Sequence, residues 1–261
     1  MDDITITLAT CCRNRADHVK TTLPKNIKTS NFPYVRFMLV NYNSQDDLDE
    51  WAREELIEHI ESGRLLYIHE KTADRFKHAH ARNVAVRCCQ TEVFCNVDAD
   101  NFTGWGFVEY LRDVYLEHRN KPVFTAYGGG TGRGSKCGSL FGRISFRVKQ
   151  LVALGGYNED LNQWGIEDYD LSMRGGQAGY KRVSYPEAFD INPLPHAQHL
   201  RIEGTDHSST LASLRESEEL HLAKFGAGMV PNAKGQWGKA TVEVNWKRTV
   251  ELPLSAGEVL P

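Results

Sequence analysis

Val93-Phe94-Cys95-Asn96-Val97-Asp98-Ala99-Asp100-Asn101 begins as a run of apolar residues and ends in two carboxylates one position apart. A short apolar run closed by turn formers reads as a buried strand, here Val93 to Val97, of the kind found in a parallel sheet covered on both faces. On an extended end, side chains two positions apart point the same way, so Asp98 and Asp100 can share a hard divalent cation. An isolated Asp-x-Asp is equally an acidic turn, because aspartate favours turns. What decides between the two readings lies on either side of it.

Upstream, Ile4 to Thr10 alternates β-branched and small residues as a strand does, and Arg13-Asn14-Arg15-Ala16-Asp17 breaks the pattern. A helix follows through Leu23, with Pro24 near its end. Val35 to Val40 reads as a second strand, closed by Asn41-Tyr42-Asn43-Ser44-Gln45-Asp46, and Leu48 to Ile60 has helical spacing. Leu65 to His69 reads as a strand and Ala79 to Cys89 as a helix. Strands alternating with helices predict an α/β fold whose sheet is mixed but mainly parallel and flanked by helices. Such sheets bind ligands beyond the carboxyl ends of their strands. Arg13-Asn14-Arg15, Asn41 to Asp46 and Asp98 to Asp100 all fall at such ends.

Downstream the order is mixed: a helix from Trp105 to His118, a strand from Val123 to Ala126, and the glycine-rich stretch Gly128 to Gly138. That stretch lacks the G-x-x-x-x-G-K-[ST] spacing of a phosphate cradle and reads as a loop. A strand from Leu140, a helical turn at Val148 to Leu154 and the turn Gly155-Gly156-Tyr157 come next. In Trp164-Gly165-Ile166-Glu167-Asp168-Tyr169-Asp170, glycine lets the backbone pass close to a ligand, and paired acids open an amphipathic helix at its positive end. One acid can deprotonate a hydroxyl while its neighbour holds another; the plainer alternative is that both cap the helix. Ser208 to Phe225 reads as a helix and Lys239 to Leu254 as a strand or hairpin arm. Residues 1–200 form the predicted ligand-binding and catalytic domain, with 201–261 an extension packed on it.

The whole chain bounds this reading. Its 261 residues, 41% hydrophobic and 25% charged, suffice for a sizeable core. A net charge of −3 supplies no basic field for polyanions, so a phosphate-bearing ligand needs local cations, for which Arg13, Arg15 and Arg82 are candidates. No apolar run reaches membrane-spanning length and the N-terminal MDDITITLAT lacks signal-peptide character, so a cytoplasmic protein is expected, with membrane contact peripheral at most. The six cysteines form no C-x-x-C pair and read as reduced, buried thiols.

Taken in order, these segments resemble the nucleotide-sugar-dependent glycosyltransferases of the GT-A fold. They resemble family 2 enzymes and, in two motifs, the β-1,4-galactosyltransferase group with the galactosyltransferase-like half of chondroitin polymerases. Cys12-Arg13-Asn14-Arg15-Ala16-Asp17-His18 is similar to that group's phenylalanine-arginine-asparagine-arginine stretch, which contacts UDP. Ala81-Arg82-Asn83 resembles the family 2 "ARN" before the D-x-D. Gly155-Gly156-Tyr157-Asn158-Glu159 with Trp164-Gly165-Ile166-Glu167-Asp168 resembles "GGY/F-[DN]-E…WG-x-ED", whose second acid is the proposed base. The resemblance spans about Ile4 to His199 and departs at Asn41, where family 2 commonly has an aspartate that contacts uracil.

The resemblance implies a metal-dependent inverting transferase moving a hexose or N-acetylhexosamine from a nucleoside-diphosphate sugar, with UDP the expected nucleotide, to a hydroxyl of a glycan or glycoconjugate. It implies Mn²⁺ or Mg²⁺ held by Asp98, Asp100 and a downstream histidine, for which His196 is preferred over His199. Asp98 also serves the donor ribose or a metal-bound water, and Arg13, Arg15, Asn41, Arg82, Trp164 and Gly165 complete the donor site. Asp168 is the expected general base and Glu167 orients the acceptor. Two alternatives stay open: transfer to a modified base in nucleic acid, which the acidic balance disfavours, and a nucleotide-sugar-binding protein without turnover.

Overall fold

The computed structural model describes residues 3–127, 142–189, 191, 193–195, 197, 201–202, 205–226, 231–232, 235–254 and 260. The glycine-rich stretch 128–138 with its Cys137, and His196 and His199, lie outside the described residues.

Strand β1 (Ile6–Cys12) is central, parallel to β2 (Val35–Tyr42) on one side and to β4 (Val93–Asn96) on the other, and β3 (Leu65–Glu70) continues the sheet parallel to β2. Ile6 sits opposite both Val35 and Val93, and Cys12 opposite Asn41. The loops after β1, β2 and β4 therefore emerge side by side. Beyond β4, β6 (Ser145–Arg147) runs antiparallel to β4 and to β5 (Val123–Ala126), and β7 (Lys181–Ser184) closes that edge parallel to β5. At the other edge β8 (Ala240–Val244) pairs antiparallel with β3 and with β9 (Arg248–Leu252). The nine-stranded order is β7-β5-β6-β4-β1-β2-β3-β8-β9, the mixed but mainly parallel α/β sheet that the strand and helix alternation predicts.

Alternation along the strands builds two cores. Ile6, Leu8, Phe37, Leu39, Val93 and Cys95 face one side, where α1 (Ala16–Thr29), α2 (Leu48–Glu55), α3 (Ile57–Glu61) and α5 (Phe107–Glu117) cover them. Ala9, Met38, Val40, Phe94, Phe124 and Phe146 face the other, under α4 (His78–Cys88), α6 (Val148–Ala153) and α7 (Glu167–Gln177). Each fully buried Leu, Ile or Phe contributes about 1.5–3 kcal/mol, which makes this double layer the main source of stability.

Two elements differ from their sequence reading. Helix α1 continues through Pro24 to Thr29. Pro24 lies on the exposed side, and the helix goes on because Ile27 reaches the core while Asn26 binds the backbone of the loop after β4. The helix expected over 48–60 is broken at Leu56, between α2 and α3, where ψ is 0°.

The C-terminal hairpin is tied into the first half of the chain by its turn. Asn245 (φ 51°) and Trp246 (φ 56°) both adopt left-handed backbone, and Lys247 N donates to Val244 O at 2.9 Å, the geometry of a type I′ turn. Asn245 exchanges two 2.9 Å hydrogen bonds with the Tyr67 backbone, and Trp246 stacks on the Tyr67 ring at 4.4 Å. Among the described residues, no helix is long and apolar enough to cross a membrane.

Candidate active site

The loop after β4 carries Asp98 and Asp100, and its backbone is held from beneath. Thr10 Oγ1 donates to Val97 O at 2.9 Å, Thr22 Oγ1 to Ala99 O at 2.7 Å, and Asn26 Nδ2 to Asn101 O at 3.0 Å. Thr103 N in turn donates to Asn26 Oδ1 at 2.9 Å. Thr22 and Asn26 are buried positioning residues that the sequence reading missed; their only signal was polar residues on the apolar stripe of α1.

Arg82 gathers the acids. Helix α4 turns the small side chains of Ala79, Ala81, Val84, Ala85 and Val86 to the interior, so it packs close to the sheet and takes Arg82 and Asn83 into the interior with it. Arg82 Nη2 donates to Asp98 Oδ1 at 2.9 Å, and Nη1 donates to Glu167 Oε1 at 2.6 Å and to Asp168 Oδ2 at 3.0 Å. One guanidinium thus faces three carboxylates. Among the described residues, Glu167 Oε2 and Asp168 Oδ1 are buried without a hydrogen-bond partner, and so is the hydroxyl of Tyr157, whose ring centroid lies 5.5 Å from the Arg82 guanidinium. Burial, the largest influence, pushes the Asp168 carboxyl well above the ordinary range; Arg82 opposes this, while Glu167 and Asp98 reinforce it. Buried acceptors in excess of donors suit a ligand that brings hydroxyls or a cation.

Asn83 locks the neighbouring turn. It donates to Tyr157 O at 2.9 Å and to Glu159 Oε1 at 2.8 Å, and its Oδ1 accepts from Tyr157 N at 2.7 Å. A Cβ on Gly156 would meet Asn83 Oδ1 at 2.5 Å, so this glycine gives the Asn83 amide its place.

Ahead of the acids, Gly165 (φ 99°) and Ile166 (φ 75°) both take positive φ. For a β-branched residue that conformation is strained by about 1–3 kcal/mol, and such strain gathers where a site over-determines its backbone. Trp164 lies beside Arg201, whose guanidinium is 5.4 Å from its ring. His78, given no role by the sequence, opens α4; burial pushes its imidazole down, and Glu167, Arg82, Asp98 and Arg15 are the charges it senses.

The remaining expected donor residues are placed as follows. Arg13 uses three N–H groups within the protein, Nη1 to Tyr42 O at 3.0 Å and Ala73 O at 2.9 Å and Nη2 to Asp74 O at 2.9 Å, which ties the 73–74 loop to the end of β2. Asn41 is buried; its Oδ1 accepts from Ser44 N at 2.8 Å and its Nδ2 donates to Tyr67 Oη at 2.9 Å, so both polar atoms shape the loop from below. Arg15 Nη1 donates to Asn14 O at 2.6 Å.

The donor set at the D-x-D loop fits a hard cation. Asp98 Oδ1 is fixed by Arg82 and by Asn96 Nδ2, both at 2.9 Å, and Oδ2 lies close against Gly142. The Asp100 carbonyl accepts from Leu194 N at 2.8 Å, and Asn101 Nδ2 donates to Asp100 Oδ1 at 2.8 Å. Among the described residues no three histidine, cysteine or acidic side chains cluster as a metal site; the expected third ligand, His196, lies outside them.

A family model described as the N-terminal domain of galactosyltransferase matches residues 133–200, the segment that carries Glu167 and Asp168. A comparison with curated proteins found no match. Among solved structures, the mannosyltransferase PcManGT from Pyrobaculum calidifontis, in complex with GDP-Man and Mn²⁺, is similar over 87% of this chain with a TM-score of 0.64 and 18% identity. S. aureus TarS in complex with UDP-GlcNAc is similar over 89% at TM-score 0.59 and 14% identity, and GalNAc-T7 with UDP, GalNAc and Mn²⁺ over 69% at 0.55 and 17%. The chain spans 65% of the mannosyltransferase, 69% of that TarS chain and 42% of GalNAc-T7. This likeness over most of the chain, to glycosyltransferase structures, shows that the protein has the GT-A glycosyltransferase fold.

Proposed function

We propose that this protein is a metal-dependent inverting glycosyltransferase that moves a hexose or N-acetylhexosamine from a nucleoside diphosphate, UDP foremost, to a hydroxyl of a glycan or glycoconjugate. The observation that carries this reading is the Arg82 guanidinium, which brings the acid assigned to the cation, Asp98, within reach of the acids assigned to the acceptor, Glu167 and Asp168. The ligands of the similar structures, GDP-Man with Mn²⁺, UDP-GlcNAc, and UDP with GalNAc and Mn²⁺, support the donor class and the cation.

Asp98, Asp100 and His196 are the residues that would hold Mn²⁺ or Mg²⁺, which when bound offsets charge developing on the leaving diphosphate. Arg15, Trp164 and Gly165 are assigned to the donor, with Arg13 and Asn41 shaping the loops around it. Glu167, its Oε1 fixed by Arg82 and its Oε2 buried and without a partner among the described residues, orients the acceptor hydroxyl. Asp168 takes the hydroxyl proton as the acceptor oxygen bonds to the anomeric carbon; the bond to the diphosphate breaks with its electron pair leaving on phosphate oxygen. Attack from the side opposite the diphosphate inverts the anomeric centre.

The test is to incubate the protein with UDP and GDP sugars and a panel of glycan acceptors, with Mn²⁺ or with chelator, and to measure nucleotide release and product anomer. Cation-dependent release that disappears in Asp100→Ala, with an inverted product, is expected. Turnover that survives chelation, retention at the anomeric carbon, or binding of a sugar nucleotide without any turnover would overturn the reading.

A further inference from the structure

Helix α8 (Thr210–Gly226) lies outside the segment matched by the galactosyltransferase model, and its sequence gives no apolar stripe. Among its described side chains, those it buries are polar: Ser213, Ser217 and His221, spaced four apart and therefore on one face. A helix usually docks through apolar side chains. Here two of the three polar groups grip the segment that carries the acid pair, one on each side of it.

Ser213 is fully buried, and its hydroxyl spans the Trp164 backbone: Oγ accepts from Trp164 N at 2.9 Å and donates to Trp164 O at 3.1 Å. Next to it, a Cβ on Gly165 would lie 2.9 Å from Leu214 Cδ1, so the helix rests directly on the glycine. On the far side of the acids, His221 Nδ1 lies 3.0 Å from Asp170 Oδ1, in a buried pair. Asp170 Oδ2 accepts from Arg174 Nε at 2.7 Å, and Arg174 donates to Leu154 O and Gly156 O, both at 2.8 Å. Between the two grips stand Ile166, in its strained left-handed conformation, then Glu167 and Asp168.

We infer that α8 is a two-point clamp that fixes the acid pair, with Ser213 and His221 as positioning residues for Glu167 and Asp168. The strained backbone at Ile166 persists because the chain is held at Trp164 and again at Asp170. The inference deepens the proposed transferase reading and rests on it for its kinetic consequence, though not for its structural one. A hydroxyl donor and acceptor at 213 is what the clamp needs, so threonine should serve and alanine should not. Misplacing a base by about an ångström costs up to about a hundredfold in rate.

The experiment compares Ser213→Ala, Ser213→Thr and the outer-face control Leu222→Ala with the parent. The first readout is amide hydrogen exchange, which needs no substrate. Ser213→Ala should speed exchange across 164–170 while the β1, β2 and β4 amides stay protected; Ser213→Thr and Leu222→Ala should leave both unchanged. The second is initial rate against acceptor at saturating donor, beside calorimetric UDP affinity. Here kcat should fall roughly tenfold or more in Ser213→Ala, recover in Ser213→Thr, and leave UDP affinity as in the parent. Unchanged exchange over 164–170 in Ser213→Ala, collapse of the whole fold in that variant, or equal losses in Leu222→Ala would overturn the clamp. Absence of transfer by the parent would overturn the transferase reading while the exchange result still decides the clamp.

Discussion

Gly142 and Asp98 approach so closely that the glycine has no room for a side chain: a Cβ at 142 would lie 1.8 Å from Asp98 Oδ2 and 2.4 Å from its carboxyl carbon. The two are also linked through Asn96, whose Nδ2 donates to Gly142 O at 2.7 Å and to Asp98 Oδ1 at 2.9 Å. The start of the chain leading to β6 thus acts as a wall against one oxygen of the acid assigned to the cation. Gly142→Ala should displace the Asp98 carboxylate and raise the Mn²⁺ concentration needed for half-maximal turnover by roughly tenfold or more, as expected when a group that orients a metal ligand is disturbed. Metal titration of activity, with circular dichroism to confirm the fold, checks this. Parental metal dependence would mean that Asp98 does not need this wall.

Arg82 should be irreplaceable for a reason that charge alone does not supply. It is buried and serves Asp98, Glu167 and Asp168 with two nitrogens, a fork geometry that lysine lacks. Arg82→Met leaves the carboxylates without a counter-charge and should cost about 3–5 kcal/mol of stability. Arg82→Lys should recover only part of this, and both variants should lose turnover. Urea unfolding of the three proteins measures the cost; full recovery in Arg82→Lys would reduce the guanidinium's role to that of a point charge.

The fold was legible because its signals are local. Apolar runs of strand length, each followed by a helical period, describe β1 to β4 and the helices between them without any knowledge of contacts. The Asp98–Asp100 loop and the Glu167–Asp168 pair could be read as separate chemical devices for the same reason. What could not be read is how they meet: Arg82 looks like a phosphate ligand in sequence, and burial in an alanine-rich helix turns it toward three acids. Arg13 and Asn41 likewise carry the right chemistry for a ligand, yet nearby carbonyls, the Ser44 amide and the Tyr67 hydroxyl take up their polar atoms. Thr22, Asn26 and Ser213 were invisible because a polar residue on a helix gives no sign of which backbone it will bind. Pro24 misled because its missing N–H matters little on an exposed face while the buried face continues.

Ile166 offers a test of stored strain. A left-handed conformation costs an ordinary residue about 1–2 kcal/mol, whereas glycine adopts it freely but loses about 0.5–1 kcal/mol in chain entropy. Ile166→Gly should therefore leave unfolding free energy within about 1 kcal/mol of the parent, although it removes a half-buried aliphatic side chain. Turnover should fall, because the acids that follow lose a backbone with a single conformation. Urea midpoints and initial rates separate the two. A destabilisation above about 2 kcal/mol would show that packing of the side chain outweighs the strain at its backbone.

Asp168→Asn should trade activity for stability, with a pH signature of definite sign. Burial holds the native Asp168 carboxyl well above its unfolded range, so folding favours the protonated form. That contribution is fully present below the unfolded pKa of about 3.9 and is lost as pH rises through the native value; above it the ionised group destabilises the fold. Asparagine keeps the shape and carries no charge, so Asp168→Asn should be more stable than the parent at pH 8, and the gap should close on acidification. Over the same range the parent's rate should climb with pH as the base loses its proton, and the variant should lose that limb together with roughly a hundredfold or more of its turnover. Thermal midpoints at pH 5 and pH 8, beside kcat across the interval and UDP affinity at both ends, measure all three. A stability gap that widens in acid would reverse the sign of the shift, and near-parental turnover in the asparagine variant would remove Asp168 as the base.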